Sequence, residues 1–148
     1  MTKVNVIVDF YKWNRKISKP KNYIKKKVRK IKKKNYLKDN NKEFSLLLTN
    51  SKRMKNLNSK FKNKNKPTDV LSFPNNYKFT DRNYLGDIAI NFEIVDKRSK
   101  KTNFYYEFDR MWVHGYLHLL GLDHKRNKDF IKKSKIEKKI LNSFDHTF

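Results

Sequence analysis

Three of the four histidines of this chain fall in the segment His114-Gly-Tyr-Leu-His118-Leu-Leu-Gly121-Leu-Asp-His124. Positions four apart lie on one face of a helix, about 6 Å along its axis, so His114 and His118 would present two imidazoles from one face. Gly121 follows where the helix is expected to end, because glycine adopts a left-handed cap without steric cost and lets the chain turn back. His124 can then swing toward the first two. Three imidazoles with an open fourth position are typical of a catalytic metal site, and zinc is the usual occupant.

The spacing His-xxx-His-xx-Gly-xx-His is also that of zinc peptidases, which place a glutamate directly after the first histidine. Here that position is Gly115, so the general base of such a peptidase is missing. The alternative interpretation is that these are polar residues satisfied at a helix end, which suits one histidine better than three. The fourth histidine, His146, lies apart from the cluster and is expected to be an ordinary surface residue.

The elements that must position these residues follow from the apolar pattern. Alternating or continuous apolar runs predict strands at 3–9, 43–49, 68–74 and 84–91. Helical spacing predicts a basic helix that begins at Pro20 and further helices at 51–62, 92–101, 104–120 and 128–144. Ser51 is available as an N-cap. The lysine face of the first helix is expected either to touch RNA or simply to be solvated.

Asp87 interrupts the apolar run of the last predicted strand. A lone buried charge is costly, so a carboxylate in such a strand is expected to be hydrogen-bonded or functional. Two interpretations remain open for Asp87. One is a structural hydrogen bond, and the other is a role near the metal.

Basic residues far outnumber acidic ones, since 38 Lys and Arg stand against 14 Asp and Glu, for a formal net charge of +24. Such an excess favours polyanionic partners, with nucleic acid ahead of a membrane surface. A second explanation is mutational, because the 31 Lys and 18 Asn both have A-rich codons. The charge therefore supports an RNA partner without proving it.

The composition also excludes several classes of protein. Without cysteine, disulfides and thiolate metal sites are excluded, and a metal would need His, Asp or Glu ligands. No segment approaches the ~20 apolar residues that span a bilayer, and the first ten residues lack the apolar core of a signal peptide. We therefore expect a soluble, cytoplasmic protein with no membrane partner, folded as one domain.

Three segments occur in a fixed order: Pro67-Thr-Asp-Val-Leu-Ser-Phe-Pro74, Leu85-Gly-Asp-Ile88 and the histidine segment 114–124. Together they resemble the YbeY endoribonucleases, which mature bacterial ribosomal RNA, and the likeness covers nearly the whole chain. The resemblance implies a single α/β (α+β) domain over residues 1–148, with a mixed sheet of about four strands and helices packed on it. It implies one zinc ion per chain, held by His114, His118 and His124.

The same resemblance implies metal-dependent cleavage of single-stranded RNA in the maturation of the small-subunit ribosomal RNA 3′ end and in ribosome quality control. The implied partners are ribosomal RNA and small-subunit components, with a monomeric protein and no small-molecule cofactor. Two positions depart from the family pattern. Lys62 stands where the family usually has an arginine, which keeps the charge but loses the planar fork that grips a phosphate. Leu122 replaces a customary tyrosine before Asp123.

The first functional hypothesis is therefore hydrolysis of an RNA phosphodiester. Lys62 would neutralise charge that develops in the transition state, and Asp87 is the first candidate for the proton acceptor. Asp123 is expected to orient a histidine. The second hypothesis is a ribosome assembly factor whose metal only stabilises the fold. The third, a metallopeptidase, is disfavoured by Gly115.

Overall fold

The computed structural model describes residues 2–33, 41–75, 83–122 and 127–146, with the backbone alone for residues 32, 33 and 127–130. In the described chain the strands are β1 Lys3–Val8, β2 Glu43–Thr49, β3 Val70–Pro74 and β4 Tyr84–Asn91. The helices are α1 Lys12–Lys16, α2 Pro20–Lys33, α3 Ser51–Lys62, α4 Phe92–Ser99, α5 Phe104–Leu119 and α6 Asn127–Ser143.

The four strands form one mixed sheet in the order β1-β2-β4-β3. β1, β2 and β4 are parallel, whereas β3 runs antiparallel to β4 at the edge. Side chains alternate between the two faces of a strand, and the alternate residues Phe44, Leu46 and Leu48 of β2 are fully buried in the main core. The fold is the predicted α+β domain with a mixed four-stranded sheet.

Helix α5 packs across β3 and β4 on the main-core face of the sheet, which is why its centre is apolar nearly all round. Its buried residues include Phe108, Trp112 and Tyr116, and the Tyr116 ring lies 4.9 Å from that of Phe44 in β2. The opposite face of the sheet carries a smaller apolar cluster beneath α3, formed by Met54, Leu71 and Ala89. Leu71 and Ala89 face α3 because successive residues of a strand point to opposite faces of the sheet. The sheet therefore separates two environments.

The predicted elements are confirmed with small shifts in their ends, and two details were missed. The N-cap of α3 is Asn50 and not Ser51, because the Asn50 side chain accepts a hydrogen bond from the Arg53 N–H. The short helix α1 was not predicted. Its Trp13 is fully buried and donates from the indole to the Thr49 carbonyl at 2.9 Å, which fixes α1 against the sheet.

The expectation that His146 is an ordinary surface residue is wrong. Its side chain is only 13% exposed, and Nε2 lies 2.7 Å from Oδ2 of the fully buried Asp109. The same carboxylate accepts hydrogen bonds from the Tyr23 hydroxyl and the Trp112 indole. Burial and the adjacent carboxylate raise the pKa of Tyr23, which keeps its hydroxyl protonated as a donor. This network holds the C-terminal segment against α2 and α5.

Within the described ranges, none of the helices is long and apolar enough to cross a membrane.

Candidate active site

His114 and His118 lie one turn apart on α5, with ring centroids 5.3 Å from each other. Both side chains are partly exposed and line the same cleft, as their spacing predicted. Gly115 lets this part of α5 approach the sheet, because an added Cβ there would lie 2.8 Å from Cγ2 of Ile88. A glutamate of the peptidase type therefore has no room at this position. The histidine pair is held close to the edge strand β3, whose Ser72 hydroxyl donates to the Gly115 carbonyl.

The end of α5 has the geometry that Gly121 predicted. Gly121 has a φ of 87°, its N–H donates to the His118 carbonyl, and the Leu122 N–H donates to the Leu117 carbonyl. These two bonds form a Schellman motif, in which a left-handed glycine closes the helix and turns the chain. Leu122 then packs against the main core.

His124, the third predicted ligand, lies outside the described residues, as does Asp123. Among the residues that the structure does describe, no three His, Asp or Glu side chains gather to share an ion. The three-histidine set therefore remains a prediction, of which the structure brings together the first two members.

A carboxylate from α6 completes the surroundings of His114. Oε1 of Glu137 lies 2.8 Å from Nδ1 of the His114 ring, and both side chains are partly buried. A carboxylate at one ring nitrogen fixes the tautomer and orientation of an imidazole and leaves Nε2 to face a metal. Sequence reasoning missed Glu137. The sequence did contain a signal for Glu137, because Asp129 and Glu137 are the two acidic residues of the lysine-rich stretch 127–143.

The cleft beside the histidines has a volume of about 660 Å³ and is strongly cationic. We call it the lysine cleft; it is lined by Asn58, Lys62, Lys64, Lys66, Thr68, Val70, Leu71, Ser72, Pro74, His114 and His118. Lys62, predicted from the sequence as a catalytic residue, thus lines the same cleft as the two histidines. Its Nζ lies 5.6 Å from the centroid of the Phe73 ring.

The lysines of this cleft lie at the end of α3 and in the loop after it, which a buried amide holds in place. Asn63 takes a left-handed conformation at the C-cap, with a φ of 54°. The Lys64 N–H donates to the carbonyl of Asn58, and the Asn58 side chain donates to the Lys66 carbonyl at 2.9 Å. Asn58 is only 3% exposed, so this loop is tied to the helix. The three lysines are presented on a fixed backbone.

Asp87 lies on the opposite face of the sheet from the histidines. The next residue, Ile88, meets Gly115 of α5, and successive strand residues point to opposite faces. Asp87 instead lines a groove with Phe61 of α3 and accepts a hydrogen bond from the Tyr84 hydroxyl. Burial and this bond raise the pKa of Tyr84 to about 12. Of the two interpretations of Asp87, the structure favours the hydrogen bond and does not bring the carboxylate to the histidines.

A second carboxylate near His114 comes from the Thr-Asp-Val segment. Asp69 and His114 line one cavity, and Asp69 Oδ2 accepts a bond from Arg98 at 2.8 Å. Burial opposes ionisation of Asp69, but the bonds from Arg98 and the Val70 N–H outweigh it and lower the pKa of Asp69. This ion pair joins the start of β3 to α4 beside the site.

Comparison with known proteins places this chain in a family. The family model for Endoribonuclease YbeY matches residues 8–145. A relative from Pelagibacter ubique (strain HTCC1062), named Endoribonuclease YbeY, is 40% identical over 93% of this chain and 92% of its own. The chain belongs to the YbeY endoribonuclease family. The range matched by the YbeY model includes Lys62, Glu137 and the whole histidine segment.

Two further comparisons agree with YbeY membership. A relative of the same name from Buchnera aphidicola subsp. Acyrthosiphon pisum is 38% identical over 96% of this chain and 93% of its own. The solution structure of TM1509 from Thermotoga maritima aligns with a TM-score of 0.64 and 25% identity, over 97% of this chain and 88% of that one. The resemblance read from the three sequence segments is confirmed as a family relationship.

Proposed function

We propose that this protein is a metal-dependent endoribonuclease that cleaves single-stranded RNA. The observation that carries the proposal is the meeting of two imidazoles, His114 and His118, with three lysines in one open cleft. The relatives named Endoribonuclease YbeY support the reaction class. The lysines that line the cleft suit an unpaired strand, whose phosphates bind lysines without regard to sequence.

The metal that we propose is zinc, one ion per chain, held by His114, His118 and His124. The residues fit such an ion because two imidazoles stand one turn apart and Glu137 holds Nδ1 of His114. When bound at three histidines, zinc lowers the pKa of its water to about 7 and polarises a phosphoryl oxygen.

The chain's own residues have separate tasks in this proposal. Glu137 fixes the ring of His114, and Lys62 neutralises the charge that develops on the phosphate during cleavage. Lys64 and Lys66 hold the strand in the lysine cleft. Because Asp87 lies on the face of the sheet opposite the histidines, we do not assign it the role of proton acceptor.

We further propose that the substrate is ribosomal RNA and that the protein acts in small-subunit 3′-end maturation, together with small-subunit components. The net charge of +24 supports a ribosomal RNA partner. Binding to assembling small subunits, measured by co-sedimentation with and without added salt, tests this part separately from the chemistry.

The test of the nuclease proposal is incubation of the purified protein with a structureless RNA, with and without a chelator, alongside the His114→Ala variant. We expect cleavage that the chelator abolishes, together with loss of bound metal and of cleavage in the variant. Full activity and retained metal in His114→Ala would refute the ligand assignment. Tight RNA binding without any cleavage would instead support the assembly-factor hypothesis, which the Lys62 departure favours.

A further inference from the structure

A second cavity adjoins the lysine cleft, and His114 lines both. We call it the arginine cavity; its volume is about 480 Å³. Arg98 and Arg110 supply its positive charge, and Val70 and Met111 supply apolar surface. Asp69 and Glu137 line it as well. The arginine cavity therefore offers positive charge, an apolar surface and hydrogen-bonding groups. These complement the phosphate, the face of the base and the polar edges of a nucleotide.

The arrangement along α5 links the two cavities. Arg110, His114 and His118 recur at every fourth residue, so they form one stripe with a rise of about 6 Å between neighbours. His118 opens into the lysine cleft, Arg110 opens into the arginine cavity, and His114 lies between them. A strand that crosses His114 from the lysine cleft therefore meets Arg110 next.

The two arginines differ in how firmly they are held. Arg98 is committed to the Asp69 carboxylate at 2.8 Å. Arg110 only approaches Glu107 at 3.4 Å, longer than the ~2.8 Å of a strong charge-assisted bond. The two arginine side chains are about equally exposed, so this difference lies in their ion pairs. Arg110 is thus the guanidinium that a phosphate can recruit, while Arg98 forms a fixed wall.

We propose that the arginine cavity is the subsite for the nucleotide next to the cleaved phosphodiester of single-stranded RNA. The phosphate of that nucleotide binds Arg110 at the rim, and its base lies against Val70 and Met111. The carboxylates of Asp69 and Glu137 repel a phosphate from the interior, which sets the base inward and the phosphate outward. This inference rests on the proposed function and extends it from a cleavage site to a strand path.

Binding of short RNA analogues tests the subsite without requiring cleavage. Fluorescein-labelled 2′-O-methyl oligouridylates, from about two to about nine nucleotides, are titrated with the protein and followed by anisotropy. The test variant is Arg110→Ala, and the matched control is Arg29→Ala. Arg29 lines a separate cleft with Lys3 and Asn5 of β1, at the other edge of the sheet. Its replacement by alanine removes the same charge as Arg110→Ala.

We expect Arg110→Ala to weaken binding of the longer probes by about threefold to tenfold and to reduce the slope of log K against log salt by about one. The shortest probe, which fits within the lysine cleft, should bind as in the wild type, and Arg29→Ala should change affinity by less than about twofold. Arg110→Lys, which keeps the charge and the fold, should lie between the wild type and Arg110→Ala.

Equal losses for Arg110→Ala and Arg29→Ala at every probe length would overturn the subsite. So would an Arg110 effect that is already complete with the shortest probe. The result is separable from the nuclease proposal. A wild type that cleaves unmodified RNA but shows no Arg110-dependent binding refutes the subsite alone. Arg110-dependent binding by a protein that does not cleave unmodified RNA refutes the nuclease proposal and leaves the arginine cavity as a strand-binding site.

Discussion

At the scale of single residues, the contact between Glu137 and His114 does most to define the site. A histidine on a partly exposed helix face has two usable ring nitrogens, and a metal needs one of them in a set direction. The Glu137 carboxylate lies 2.8 Å from Nδ1, so Nε2 is the ring nitrogen that a metal would use. A carboxylate in this position also makes the imidazole a stronger ligand.

Replacing Glu137 with Gln keeps a group that can accept the Nδ1–H bond but removes its charge. We expect zinc affinity to fall by about tenfold, with little change in unfolding free energy, because the fold does not depend on this charge. Competition with a chromophoric chelator measures the affinity. Glu43→Gln is the control, since Glu43 is bonded to Asn5 in β1, away from the site. Equal affinity in the two variants would remove Glu137 from the metal centre.

Lys62 is the residue at which charge and chemistry can be separated. Removing its ammonium in Lys62→Ala should reduce the cleavage rate more than it reduces RNA binding, because the proposed interaction strengthens in the transition state. Lys66→Ala, in the same cleft, should reduce both equally. Rates under single turnover and affinities from titration provide the comparison. Equal losses for Lys62→Ala would reassign Lys62 to docking of the strand.

At the scale of elements, the site depends on how closely α5 approaches the sheet. Two glycines of this helix region act for different physical reasons. Gly115 has ordinary helical geometry and is required because its neighbour Ile88 leaves no space for a side chain. Gly121 has open space around its Cα but a φ of 87°, which other residues adopt at a cost. One glycine sets the packing distance, and the other sets the turn.

Substitutions at these two glycines should therefore behave differently. Gly115→Ala should lower the unfolding free energy by about 1–2 kcal/mol, because overpacking against a β-branched residue outweighs the gain in helix propensity. Gly121→Asn should cost less, because asparagine tolerates the left-handed region, whereas Gly115→Asn should cost more than Gly115→Ala. Urea denaturation measures all three. A stabilised Gly115→Ala variant would contradict the close packing of α5.

At the scale of the whole molecule, the question is how much of the positive charge serves binding. The lysine cleft gathers Lys62, Lys64 and Lys66 around the histidines, while other lysines lie far from the site, such as Lys25 beyond β1. Only charges near the strand release counterions when RNA binds. If the protein binds RNA as proposed, the share of the net charge that serves binding is therefore local, and the remainder is compatible with codon bias.

The salt dependence of RNA binding measures that local share. Three lysines in contact with a single strand predict a slope of about −2 for log K against log salt with a short probe, and about −3 with a probe that also reaches Arg110. Titrations of an oligouridylate across a series of salt concentrations give this slope for the wild type. Neutralising Lys25, at the far edge of the sheet, should leave it unchanged. A flat response in the wild type would argue against an RNA role for the charge.

The local elements of this fold could be predicted from the sequence because their signals are local. The side chains of Ile24, Val28 and Ile31 recur at helical spacing in α2 and are buried, and the pairing of His114 with His118 follows from helical geometry alone. The left-handed conformation of Gly121 is likewise a property of one residue at a helix end. The short helix α1 was missed because five residues carry too little periodicity, and its place depends on Trp13 reaching the core.

By itself, then, the sequence determined the four strands, five of the six helices in the described residues, the histidine pair, the turn after it and the family. The tertiary structure decided which distant side chains join the site. Glu137 reaches His114 across 23 positions, and Asp87 is directed away from it, because a strand has two faces and only packing selects the one that α5 covers. Contacts between elements depend on how the whole core packs, which no local period encodes.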